Sequence, residues 1–417
     1  MPAFRGRPSV RQPDDPRSND AYLLFLHGLM VGTYYELDNT CLLFRNKWKM
    51  ELLASTTAIL FQGPGQPWLF ESVPIPQPRN GDILVRVLAC TICGSDLHSI
   101  SGRRTVPTPS VLGHEIVGEI TEFGPTASRL SIDGTPLLVG TRVCWSLVAN
   151  CDHCFFCEHD LPQKCSTMVK YGHHAYSCPS DLMGGFAGHC LLVSGTKIMQ
   201  LPASMPLEVA CPISCATATI ASAMETAKSI QGETVVVLGA GMLGVTACAM
   251  AKELGAAQVV CVENSALRRE SSLLFGANVA IEDSQLGEVV RDLTNGRGAD
   301  CMLECSGSNQ AFESGMNVMR LGGRIVLLGA VFPKEPVPFA LDRIVRRNLS
   351  IAGVHNYAPR NLRQAVDFLS ASAVKYPFAS LVSAWYPFTQ IERAVEHASS
   401  GKAIRIGIKP TPDPESP

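Results

Sequence analysis

Thr234-Val235-Val236-Val237-Leu238-Gly239-Ala240-Gly241-Met242-Leu243-Gly244 is an apolar run that passes directly into a glycine turn of the form G-x-G-x-x-G. The spacing predicts a strand over Thr234–Leu238 and a helix over 242–254, and that context makes so short a motif informative. In such a turn Gly239 makes the tight bend, Gly241 lets the backbone approach a pyrophosphate, and Gly244 lets helix and strand pack closely. Met242 and Leu243 open the helix, whose N-terminal amides and partial positive charge face the phosphates. A second strand, Gln258–Val262, ends beside Glu263. A carboxylate there accepts hydrogen bonds from ribose hydroxyls and repels a 2′-phosphate, which favours NAD. Arg268 and Arg269 lie close by and keep NADP open.

Outward from this turn, a helix is expected over 216–230 and further apolar strands over 300–303 and 324–328. Strand and helix in alternation imply a parallel sheet covered on both faces. Upstream, 58–61 and 83–87 read as strands joined through Pro74, Pro76, Pro78 and Asn80-Gly81, and short strands continue to about Leu201. Downstream come helices over 362–370 and Ile391–Ser399 and a strand over 403–408. The expected organisation is α/β: an extension at 1–53, a mostly-β domain at 54–215, a doubly wound dinucleotide domain at 216–354, a segment at 355–410 that returns to the mostly-β domain, and a tail at 411–417.

The chain has 417 residues, too many for one ordinary core, and a formal net charge of -2. Without a basic excess, nothing recruits nucleic acid or an anionic membrane globally. The apolar stretch 21–32 is short of the ~20 residues that span a bilayer. Arg5, Arg7, Arg11 and Arg17 are mixed with Asp14, Asp15 and Asp20, which argues against a clean mitochondrial transit peptide. The expected location is cytoplasmic, or mitochondrial if the extension is a targeting segment. The 16 cysteines then read as free or metal-binding thiols rather than disulfides.

Cys151, Cys154, Cys157 and Cys165 form C-x2-C-x2-C-x7-C, a spacing at which four thiolates close a tetrahedron around zinc. A site with all four positions filled is structural. Elsewhere, Cys93-Gly94-Ser95-Asp96-Leu97-His98 is followed by Gly113-His114-Glu115 and, far downstream, by Cys215. Cys93, His114 and Cys215 make a Cys2His set that leaves the fourth position of a catalytic zinc open, and Cys211 competes with Cys215 for the third place.

In this order the motifs resemble those of the zinc-containing medium-chain alcohol dehydrogenases, from about Thr56 to Pro410, the segment Cys215-Ala216-Thr217-Ala218-Thr219 included. The resemblance implies a GroES-like catalytic domain, two zinc ions per chain and a dimer or tetramer. It implies that Glu115 is a carboxylate near the metal, that Asp96 orients a ligand, and that Thr219 and Arg405 contact the cofactor. It also implies a relay in which Ser95 takes the proton of a zinc-activated alcohol and passes it through the nicotinamide ribose to His98, while hydride moves to NAD.

Leu161-Pro162-Gln163-Lys164-Cys165, Lys170-Tyr171-Gly172-His173 and Gly353-Val354-His355-Asn356-Tyr357 also look like a subgroup associated with phosphonate catabolism. Lys170, His173 or His174 is a candidate for holding an anionic group, against the alternative of an ordinary surface loop. The other functional readings are a polyol or amino-alcohol dehydrogenase and a non-catalytic nucleotide-binding regulator. Such polyol enzymes often carry a carboxylate in place of the third cysteine, and the regulator predicts loss of Cys93, His114 or Ser95.

Overall fold

The computed structural model describes residues 54–331, 335–337 and 340–410. The expected extension at 1–53 and tail at 411–417 lie outside the described residues. The cofactor-side sheet has six parallel strands in the order Val279–Ile281, Gln258–Val262, Thr234–Leu238, Ala299–Glu304, Met319–Leu327, Ser350–Gly353. All five residues of Thr234–Leu238 are buried, because helices cover both faces and no polar alternation is needed. From Thr234–Leu238 the chain first builds one half of the sheet and then returns to build the other. The order therefore reverses between Thr234–Leu238 and Ala299–Glu304, and the crevice beyond the carboxyl ends of those two strands is where such sheets take their ligands.

The other large sheet has seven strands and holds the chemistry-bearing segments. Ile83–Ile92 pairs antiparallel with Glu115–Phe123 on one side and with Arg405–Lys409 on the other. The register sets Thr91 against Glu115 and Ile406 against Ile92. Arg405, the first residue of the last strand, is thereby brought beside Cys93 at the start of the helix Gly94–Ile100.

The helix expected over 216–230 stops at Ala227, where Lys228 takes φ 64. The proline-rich connection between the first strands also contains the strand Leu69–Pro74, which folds back on Ser55–Phe61 before the turn. Among the described residues no single helix is long and apolar enough to cross a membrane.

Candidate active site and cofactor cleft

Cys93 stands in extended conformation just before the helix Gly94–Ile100. Ser95 and His98 are three residues apart on that helix, so they share a face, and both line a cavity of about 460 Å³ between the two sheets. Asp96, 1% exposed, takes two jobs from the same position. One oxygen accepts the Cys93 amide at 2.9 Å, and the other lies 3.1 Å from His114 Nδ1. A carboxylate can only accept, so Nδ1 carries the proton and Nε2 is left free to bind a metal.

Cys215 lies at a break between two helical runs, Leu207–Ser214 and Ala216–Ala227, which meet at 54°. Its φ −126 and ψ −79 are not helical, and the break turns the thiol toward Cys93. The two sulfurs are 4.0 Å apart, and ligand atoms of Cys93, His114, Glu115 and Cys215 all lie within 4.8 Å of one another. Two thiolates bound tetrahedrally at about 2.3 Å stand about 3.8 Å apart, so the donor set fits zinc. Cys211 is fully buried and lines no part of the cavity, which leaves Cys215 as the sulfur facing Cys93.

Behind this cluster is a buried ion pair. Arg405 donates from Nε and from a terminal nitrogen to the two oxygens of Glu115 at 2.9 and 3.0 Å, and Thr91 Oγ donates to Glu115 at 2.6 Å. Arg405 also reaches Cys93 Sγ at 3.4 Å. The Cys215 thiol, then Arg405 and His114, hold the Cys93 thiol well below its usual range against burial. Burial opposes a charge on His114, yet Asp96 and Cys93 carry it up to about 10. Arg405 and Thr219 both line the cavity, as cofactor contacts must, but Arg405 is already committed to Glu115.

The four-cysteine loop closes on itself. Sulfur separations are 3.5 Å for Cys165–Cys151, 3.6 Å for Cys154–Cys157 and 3.9 Å for Cys154–Cys165, edges of a tetrahedron of the size zinc requires. Amides of Ser166 and Cys157 pull the Cys154 thiol down to about 5. His153 and His159 bond backbone carbonyls instead of joining the set.

At the glycine turn Gly239 has φ 91, and a Cβ on Gly244 would stand 1.8 Å from the Gly239 carbonyl. Gly241, by contrast, faces open space that a Cβ would intrude upon, as a cradle for a pyrophosphate should. Gly241, Met242 and Leu243 line the same cavity as the Cys2His cluster. Glu263 accepts the Ala240 amide at 2.9 Å and the Ser265 amide at 3.0 Å, so its carboxylate is fixed at the turn. It borders a side pocket of about 90 Å³ that also holds Asp283, whose buried Oδ1 has no partner. These features fit a dinucleotide. Arg268 is spent on the Gly401 carbonyl, and Arg269 on two carbonyls and on Glu282.

Lys170 and His173 line the cavity, while His174 is not among its lining residues. Arg104 joins them, donating to His173 Nε2. His355 also lines the cavity; Lys164 donates to its Nδ1 at 2.6 Å, and burial with Lys164 nearby pushes the imidazole down to about 4. Sequence reasoning missed Arg104, Thr91 and the Tyr357 hydroxyl, which accepts the Leu147 amide and donates to the Ser214 carbonyl beside Cys215. Thr91, two residues before Cys93 on a strand, had a positional signal; Arg104 had none.

Residues 79–203 match the alcohol dehydrogenase GroES-like domain and residues 243–371 the zinc-binding dehydrogenase family. An L-threonine 3-dehydrogenase of Pyrococcus horikoshii is 31% identical over 306 residues, 71% of this chain and 82% of its own. A 5-exo-hydroxycamphor dehydrogenase of Pseudomonas putida is 29% identical over 348 residues, covering 81% of this chain and 94% of its own. The solved structure of an alcohol dehydrogenase from Thermotoga maritima superposes with a TM-score of 0.81 at 27% identity, over 86% of this chain and all of the other. With a GroES-like domain, a parallel nucleotide-binding sheet and relatives matched over most of their length, the chain belongs to the zinc-binding medium-chain alcohol dehydrogenase family.

Proposed function

We propose that this protein oxidises a small alcohol to its aldehyde or ketone with NAD as hydride acceptor, at a zinc held by Cys93, His114 and Cys215. A second zinc belongs to the lobe of Cys151, Cys154, Cys157 and Cys165. The observation that carries the reading is that ligand atoms of the Cys2His set gather within 4.8 Å of one another, on the wall of a cavity that the glycine turn also lines. Zinc held by these three residues would supply the Lewis acid that lowers the pKa of a substrate hydroxyl, and a dinucleotide at the glycine turn would supply the hydride acceptor.

The chain's own residues supply the rest. Ser95 Oγ, 3.2 Å from His114 Nε2, stands beside the metal position and takes the hydroxyl proton. His98, one turn along the same helix face, passes it toward solvent, a task imidazole suits near neutral pH. Asp96 keeps His114 in the metal-binding tautomer, and Glu115 with Arg405 braces the cluster from behind. Glu263 at the turn, with Arg268 and Arg269 occupied elsewhere, supports NAD over NADP. The phosphonate-associated segments make a hydroxyalkyl phosphonate the first substrate to try. The outer strand Ser350–Gly353 is the proposed edge for pairing two subunits.

Metal analysis and a substrate screen followed by NADH absorbance test this. Two zinc ions per chain and turnover preferring NAD to NADP are expected. Cys93→Ser should leave one zinc and bring turnover to background. Zinc confined to the four-cysteine loop in the unaltered protein, or turnover indifferent to Cys93→Ser, rules the reading out.

A further inference from the structure

The charges around the cavity do not balance within the protein. Among its described lining residues there is no aspartate or glutamate. Zinc with two thiolates and a neutral imidazole carries no net charge. Arg405 is matched by Glu115. Two cations on the wall, Arg104 and Lys170, are left without a carboxylate in contact; Asp96, buried behind His114, acts on Arg104 only through its field. Arg104 has a neutral partner: His173 Nδ1 lies 2.9 Å from the Tyr171 carbonyl and donates to it, so Nε2 is the acceptor for the guanidinium. The Lys170 ammonium has no hydrogen-bond or ion-pair partner among the described residues. Burial, then Arg104, push the Lys170 ammonium down to about 8, against the pull of the Cys215 and Cys93 thiols.

The cluster is also placed beside the chemistry. The His173 ring packs against the His114 ring with centroids 5.2 Å apart, so the Arg104 guanidinium is one imidazole removed from a metal ligand. The phosphates of a dinucleotide have their own cradle at Gly241 and the helix start, and do not need this wall.

We infer that Arg104 and Lys170 form a subsite for an anionic substituent, and that the substrate is an alcohol carrying an oxyanion group, a dianion in preference to a monoanion. The inference rests on the dehydrogenase reading above and names the substrate class of that same site. His173 is a positioning residue that aims the Arg104 fork, while Arg104 and Lys170 meet the substrate. Two fixed cations match two negative charges, and a neutral substituent would leave both without a partner in a half-buried wall.

The test uses the full chain loaded with zinc and NAD, and four alcohols: 2-hydroxyethylphosphonate, its dimethyl ester, 3-hydroxypropionate and 3-hydroxypropionamide. kcat/KM is expected to favour each anion over its neutral partner, and the phosphonate over the carboxylate. In Arg104→Met, and in Lys170→Gln should the first variant fold poorly, the preference for phosphonate over ester should fall about 10–100-fold, the range for a hydrogen bond to a charged group. Calorimetric binding of the phosphonate and ester to the zinc-loaded protein gives a second readout. Turnover of neutral and anionic alcohols alike, or variants that keep the unaltered preference, overturns the subsite and leaves the reaction standing. Tighter binding of the phosphonate with no NAD- or NADP-linked turnover of any alcohol upholds the subsite and overturns the reaction. No preference in either binding or turnover overturns the subsite.

Discussion

At the scale of single residues, Asp96 does more than its place on a short helix suggests. It caps the Cys93 amide and sets the His114 tautomer, so two of the three proposed zinc ligands are held by one carboxylate. Asp96→Asn cannot accept from both, because its amide nitrogen only donates. Zinc affinity at the Cys2His set should fall about 10–100-fold while the lobe keeps its ion, as measured by chelator competition. Unchanged affinity would remove Asp96 from the role. The candidate metal residues were legible because cysteine and histidine at fixed spacing are rare by chance. Lys170 was singled out with its neighbours, and Arg104 was not. An arginine in a polar loop reads as solvated until the fold brings its partner, 69 residues away, against it.

At the scale of elements, the glycine turn is a steric device before it is a binding one. Gly244→Ala would drive a methyl group into the Gly239 carbonyl, and the helix Met242–Glu253 must withdraw from the strand to relieve it. Cofactor affinity should weaken about tenfold or more, equivalent to at least about 1.4 kcal/mol, with zinc content intact; NADH fluorescence titration measures it. An unaltered dissociation constant would mean that close packing at this glycine is dispensable. Thr234–Leu238 and Gln258–Val262 were legible to the residue, since both are short β-branched runs, buried apart from the half-buried Gln258, and each ends at a glycine or a charge. Leu69–Pro74 was not: most of its residues are exposed or half-exposed, and prolines follow it. The crossover helices Leu286–Leu293 and Asn309–Val318 were hidden because each buries only two residues and otherwise presents mixed, partly polar surface.

At the scale of the molecule, the lobe is joined to the rest by exposed ion pairs and, as proposed, held in shape by its metal. Arg360 bridges Asp160 of the lobe and Glu225 of the helix Ala216–Ala227. An exposed pair of this kind is worth about 0–1 kcal/mol, so Arg360→Ala should shift the thermal midpoint little. Zinc in a four-thiolate site contributes on the order of 10 kcal/mol of binding free energy, so Cys154→Ser should lower the midpoint far more and lose one zinc. Equal melting of the two variants would mean that the lobe is not organised by metal. The pairing of Glu115 with Arg405, separated by 290 residues, has a temporal consequence. A ribosome releases Cys93, His114 and Glu115 early, Cys215 later, and the strand Arg405–Lys409 after every other described strand. Until that strand docks, folding the early sheet would bury a carboxylate with no cation, a state costing about 3–5 kcal/mol. Maturation of the centre therefore waits for the strand Arg405–Lys409, the last of its parts to emerge.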